Sequence, residues 1–174
     1  MENKSLIEDI FQAARLDEVS QLRAILTAHP ELANTENDDG LTPLGFAAHF
    51  GSKEAVQALL DHGADVNAIS HSKVSYIPSN TALHAAIAGE RSVDVISLLL
   101  SNQAQPTIID SNGHTVLHTA AFHDDNEEII RLLLAHGADI HALTGGGETA
   151  ASIATKQGNH RVAELLQRAN EAVN

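Results

Sequence analysis

Five times along this chain a β-branched residue or Leu is followed, after two intervening residues, by a Leu/Ile–Leu pair. The copies are Leu22/Ile25/Leu26, Val56/Leu59/Leu60, Ile96/Leu99/Leu100, Ile130/Leu133/Leu134 and Val162/Leu165/Leu166. Their first members are 34, 40, 34 and 32 residues apart. Each triplet falls at i, i+3, i+4, which places its three apolar side chains on one stripe of a helix. A period of this length is the mark of a stacked repeat, in which each unit buries its apolar face only against its neighbours.

Upstream of four of these helices lies a second signature: Thr42-Pro43-Leu44, Thr81-Ala82-Leu83-His84, Thr115-Val116-Leu117-His118 and the degenerate Thr149-Ala150-Ala151. A Thr hydroxyl can accept from an amide left open in the first helical turn, and Pro43 sits where a missing N–H costs nothing. Each Thr is therefore expected to begin another helix. The pairs Ala47-Ala48 and Ala120-Ala121 keep that helix thin enough for a neighbour to approach closely. Gly63 and Gly137 stand where a left-handed C-terminal cap is expected, and Gly40 and Gly113 stand in the turn before a Thr. Each unit reads as turn, helix, turn, helix.

These motifs resemble the ankyrin-repeat family. The resemblance rests on Gly40-Leu41-Thr42-Pro43-Leu44, Ala47-Ala48, Gly51, Leu59-Leu60 and His62-Gly63-Ala64-Asp65-Val66-Asn67 in one copy. Another copy adds Asp110, Gly113, Thr115, Leu117-His118, Ala120-Ala121 and His136-Gly137-Ala138-Asp139-Ile140. It implies an all-α solenoid of about five stacked helix-turn-helix repeats with β-turn or hairpin fingers. The expectation is a single domain over 1–174, with repeats at 5–36, 37–69, 70–109, 110–143 and 144–170. The first lacks the Thr-Pro-Leu start and the last carries Ala151 and Ser152 where Leu and His are expected, so both read as caps. Thr42 to Thr81 spans 39 residues where Thr81 to Thr115 spans 34. About six extra residues, within Ser70 to Asn80, lengthen the third finger, and one extra residue is expected as a bulge near 90–92 and again near 124–126.

Composition narrows the function classes. Ten Lys and Arg stand against 23 Asp and Glu, a formal charge of −13, and no basic cluster offsets it, so nucleic acid is a poor partner. There is no cysteine, hence no disulfide framework and no thiolate zinc site. The stretch from Met1 to Val19 carries charges throughout and has no apolar leader-like run. The longest apolar stretch, around Val95 to Leu100, is far short of a membrane span. A cytoplasmic, membrane-free protein is expected. Aromatics make up only 3 % of the chain, so the core must be aliphatic.

The family resemblance implies a protein-binding module, not an enzyme, whose contacts lie at the finger tips and just after each Ala pair. On this chain those positions are Asp38, Asp39 and Leu41; His49 and Phe50; Ser111, Asn112 and His114; Phe122 and His123; Glu148; and Lys156 and Gln157. Phe50 and Phe122 fall outside the buried pattern and read as anchors, or as rings packed on an adjacent helix or finger. Tyr76 and Ile77 in the long finger are a third candidate. Phe11 and Phe46 read as core. Acids at Glu36, Asp38 and Asp39 would attract a partner with a basic surface. Those at Asp124, Asp125, Glu127 and Glu128 read first as complements to a helix dipole.

Eleven histidines invite a metal reading. His49 and His123 fall two repeats apart, roughly 20 Å, whereas a zinc needs ligands about 2 Å from itself. The resemblance gives His84 and His118 a structural hydrogen-bonding role, and His62 and His136 are expected in the last turn of their helices. No metal, cofactor or catalytic residue is assigned. A monomer is expected ahead of a homo-oligomer, with self-association as an assembly scaffold and a histidine-based metal protein as the alternatives.

Overall fold

A computed structural model describes residues 2–173; Met1 and Asn174, the ends of the single expected domain, lie outside them. The described residues form ten α-helices and no strand. The helices are α1 (Glu2–Leu16), α2 (Val19–Ala28), α3 (Pro43–His49), α4 (Lys53–Asp61), α5 (Ala82–Ala88), α6 (Val93–Ser101), α7 (Val116–His123), α8 (Glu127–Ala135), α9 (Ala150–Gln157) and α10 (His160–Val173), with a 3-10 turn at Pro30–Asn34. Each odd-numbered helix after α1 starts at its Thr. Thr42, Thr81 and Thr149 hydroxyls accept from the amides of Gly45, His84 and Ser152 at 3.0, 3.4 and 3.2 Å. At Thr115 the His118 ring accepts from the Thr amide at 3.1 Å instead.

Two compact units divide the chain, 1–104 and 105–174. In the first, α1, α3 and α5 pack in order as one layer and α2, α4 and α6 as the other. In the second, α7 lies on α9 and α8 on α10. The repeated triplets supply the core: Leu22, Leu26, Val56, Leu59, Ile96, Leu99, Ile130, Leu133, Val162 and Leu166 are all buried. The alanine pairs are buried with them, Ala47 and Ala48 at one joint and Ala120 and Ala121 at another, letting helices close without bulky side chains between them. Phe11 is buried, but Phe46 departs from its expected place. It is half-buried, because its ring leans on Phe11 at 5.1 Å and on Phe50 at 5.0 Å along one edge of the unit.

The fingers share one construction. Asn37, Asp110 and Thr144 each donate their amide to the carbonyl four residues on, of Leu41, His114 and Glu148. Each also turns its side-chain oxygen onto the amide of that same residue, at 3.0, 2.9 and 3.1 Å. Ser70 does the same with Asn80, ten residues on, so the insertion is an ordered finger with the ordinary base. The extra inter-helix residues behave differently from one another. Four residues join α5 to α6, with Arg91 at φ 55°, while in the fourth repeat the surplus lengthens α7 to eight residues and leaves no bulge.

Candidate functional site

In the first unit Asp38 and Asp39 are exposed at the tip of the first finger and Leu41 is half-buried. His49 is exposed at the end of α3. Phe50 takes the second of its two expected readings, a ring packed on its neighbours rather than a free anchor. It is half-buried, edge-on to Phe46 and His49, with the Arg15 guanidinium 5.2 Å from its centroid. Tyr76 is 84 % exposed at the tip of the long finger, and Ile77 beside it is half-buried. The long finger lies against the first one: His71 and Lys73 amides donate to the Gly40 and Asp39 carbonyls at 3.0 and 2.9 Å. The Glu36 carboxylate accepts from both the amide and the ring of His71.

In the second unit Ser111 and Asn112 are exposed and His114 is half-buried. Phe122 is 51 % exposed, edge-to-face with the exposed His123 at 5.1 Å. Glu148, Lys156 and Gln157 place one finger base and the end of α9 on a common face, since Lys156 pairs with the Glu148 carboxylate. That contact, a hydrogen bond first and charge second, holds the Glu148 carboxyl below its usual range. At the other end of the chain Lys4 does the same to Asp38 at 2.7 Å.

Sequence reasoning singled out Glu36 for its charge but passed over the aliphatic residue immediately before each of the other fingers. At Glu36, Ile69, Ile109 and Leu143 the register repeats, and the three aliphatic members are 46, 55 and 60 % exposed. Their signal was available: a branched aliphatic in the same slot three times, outside both helices.

Four of the histidines make structural hydrogen bonds. His118 is buried, its Nδ1 accepting from the Thr115 amide and its Nε2 donating to the Ala142 carbonyl at 3.0 Å, in the next repeat. Burial pushes its pKa down, and the backbone bond to Ala142 only partly opposes this. His84 Nδ1 lies 2.8 Å from the Thr81 hydroxyl. His62 and His136 sit one residue past their helices, as caps, with Nδ1 donating to the Ala58 and Leu132 carbonyls. Among the described residues no group of three or more His, Asp or Glu is placed to hold a metal ion. Nor is any helix among them long and apolar enough to cross a membrane.

A model of ankyrin repeats (three copies) matches residues 10–110, 73–144 and 92–174. With the Thr-capped helix pairs and fingers described above, this places the chain in the ankyrin-repeat family. It is 32 % identical over 108 residues to ankyrin repeat and SAM domain-containing protein 6 of Rattus norvegicus, covering 62 % of this chain and 11 % of that protein. It is 43 % identical over 67 residues to Rabankyrin-5 of Mus musculus, covering 38 % and 5 %. A 61-residue match at 41 % identity to palmitoyltransferase akr1 of Emericella nidulans covers 35 % and 8 %. The chain thus spans roughly a tenth or less of these relatives, and the likeness is one of repeats. Ankyrin repeats are generally protein–protein interaction modules, and the family is typically non-enzymatic.

Proposed function

We propose that this chain is a non-catalytic protein-binding module, monomeric and cytoplasmic, that docks a partner on its finger-side residues. The observation that carries the reading is the exposed aliphatic slot before the fingers, Ile69, Ile109 and Leu143. Repetition alone would be explained by a core position. Repetition at half exposure leaves large apolar side chains in water at the same place three times, where a partner can cover them. Phe122 and Tyr76 add exposed aromatic surface of the kind that anchors interfaces. The formal charge of −13 favours a partner with a basic surface through long-range attraction.

The test is affinity capture with the immobilised chain, followed by the same capture with Ile109→Ser/Leu143→Ser. Captured partners should be lost while thermal unfolding moves by no more than a few degrees, because both side chains are already exposed. Undiminished capture by the double variant would discard the slot as a binding surface. Sedimentation over a concentration series gives the competing outcome: a mass that grows with concentration means the surface covers a second copy of the chain.

A further inference from the structure

The first unit contains a cleft of about 280 Å³ between α1 and the first finger, with Phe11 and Phe46 in its lining. That is near the lower end of the ~300–1,000 Å³ of small-ligand pockets, and too narrow for a helix about 10 Å across. It has room for one long side chain. Its rim carries four carboxylates, Glu8, Glu36, Asp38 and Asp39, against two cations, Lys4 and Arg15. With them the lining holds two rings, Phe11 and Phe46, edge to face at 5.1 Å, and Phe50 stands behind Phe46 outside the lining. Two of the chain's four phenylalanines line it.

We infer that this cleft seats an arginine side chain from an extended segment of the protein partner. The inference rests on the protein-binding reading above and names the chemistry of one contact. The chain's own cations already make each kind of contact, the ion pair in the cleft and the ring contact on Phe50 just outside it. Lys4 Nζ lies 2.7 Å from Asp38 Oδ2 at the mouth, and the Arg15 guanidinium lies over the Phe50 ring. An aromatic floor under a carboxylate rim suits a flat guanidinium, which stacks on a ring while its edge forks to carboxylates; a compact, strongly hydrated ammonium gains less. Lys4 and Asp38 are 65 and 84 % exposed, so their ion pair opens easily, and Lys4 competes for the seat without closing it.

The experiment is an amide NMR titration of the whole chain with acetyl-Gly-Arg-Gly-amide at low salt, beside the citrulline peptide, its neutral isostere. Saturable shifts should appear at residues 7–15 and 36–39 with the arginine peptide, shrink at high salt, and be absent with citrulline. Asp38→Asn should weaken binding by about threefold, and Lys4→Ala should tighten it by up to about fivefold, the range carried by an exposed ion pair. A gain from Lys4→Ala cannot come from damage to the fold. Equal shifts with citrulline, shifts centred on the acidic 124–128 turn, equal binding of spermidine, or weakening by Lys4→Ala would each overturn the assignment. If the peptide fails here while Ile109→Ser/Leu143→Ser still loses the partner, the cleft falls and the protein-binding reading stands. If only the capture result fails, the aliphatic slot is discarded and the cleft stands.

Discussion

The joint between the second and third repeats and the joint between the fourth and fifth do the same work with different atoms. In the first, backbone meets backbone, His71 to Gly40, Lys73 to Asp39, and Glu90 to the His49 carbonyl at 2.9 Å, with the Glu36 carboxylate on His71 as an added side-chain tie. In the second, side chains reach across. His118 donates to the Ala142 carbonyl, Asn159 Nδ2 donates to the Ala121 carbonyl at 2.9 Å, and the Asp125 carboxylate accepts from the Val162 amide at 2.8 Å. The cause is local. The second repeat has Gly45 where the fourth has His118, and it is followed by the long finger, which supplies the missing contacts from its own main chain. A joint made of side chains depends on single residue identities, whereas one made of backbone depends on whether two chains can approach.

His118→Ala is expected to have the largest effect. The ring is 2 % exposed, and its loss leaves a cavity, an unmet Ala142 carbonyl and an unmet Thr115 amide. Together these should cost about 2–4 kcal/mol in urea unfolding. A loss below about 1 kcal/mol would show that side chains do not hold this joint. Next comes Gly40→Ala, which attacks the backbone joint at its point of closest approach. A Cβ there would stand 2.0 Å from the His71 carbonyl oxygen, at φ +74°. Gly113 has nearly the same φ, +79°, but its nearest obstacle is the Gly145 nitrogen at 3.5 Å. Gly113→Ala should therefore cost only the left-handed penalty of about 1–2 kcal/mol, and Gly40→Ala clearly more. Equal losses would mean that finger contact contributes nothing beyond conformation.

The same contrast explains what the sequence disclosed. Helix pairs, Thr starts and the glycine turns were legible because each depends on residues within a few positions of one another, repeated at one period. The role of His118 was legible only through family resemblance, since its acceptor lies 24 residues away in a turn with no signature of its own. Which of its two readings Phe50 takes was not legible. Its pattern position says exposed, and only the arrival of Arg15 from α1 and Phe46 from α3 covers it. The exposed Ile69, Ile109 and Leu143 were missed because an aliphatic in a repeat reads as core unless its place outside both helices is used as evidence.

A smaller effect tests how far borrowed side chains reach along the outer helices. α6 and α8 carry their own caps, Ser92 and Asn126, which accept from the amides of Val95 and Glu128. Ser52, before α4, makes no such bond to its helix; Asp17 of the first repeat accepts from the Ala55 amide at 2.7 Å. Asp125 serves α10 in the same manner. Asp125→Ala should cost about 1 kcal/mol, the ordinary value of a cap, and Asp17→Ala more than that, because Asp17 stands at φ 58° where Ala is less at home than Asp. Their signature is in exchange rather than in magnitude: amide hydrogen exchange should quicken in the next repeat's outer helix, not in the mutated turn alone. Quickening confined to the turn would make these acids local dipole complements.

The smallest effect separates the joints by pH. Burial holds the His118 pKa below its ordinary 6.5, with the nearby His114 charge acting in the same direction and the Ala142 and Glu148 backbone and Asp110 opposing. The neutral ring suits its partners, because Nδ1 must accept from Thr115 while Nε2 donates to Ala142. As pH falls, the unfolded chain takes up this proton before the folded one does. The associated stability is full above pH 6.5, declines below it, and stops declining once the folded ring is itself protonated. The lowered carboxyls of Asp38, Asp61 and Glu148 act only further down, near and below their ordinary range of 3.8–4.5. Between pH 7.5 and 5.5 the side-chain joint should thus weaken, read as faster amide exchange at Thr115 and across the 142–148 finger. The ring should titrate below 6.5 by NMR while Nε2 keeps its proton. A His118 that titrates at or above 6.5 would mean that the ring is held in its charged form, and the side-chain joint would then strengthen in mild acid.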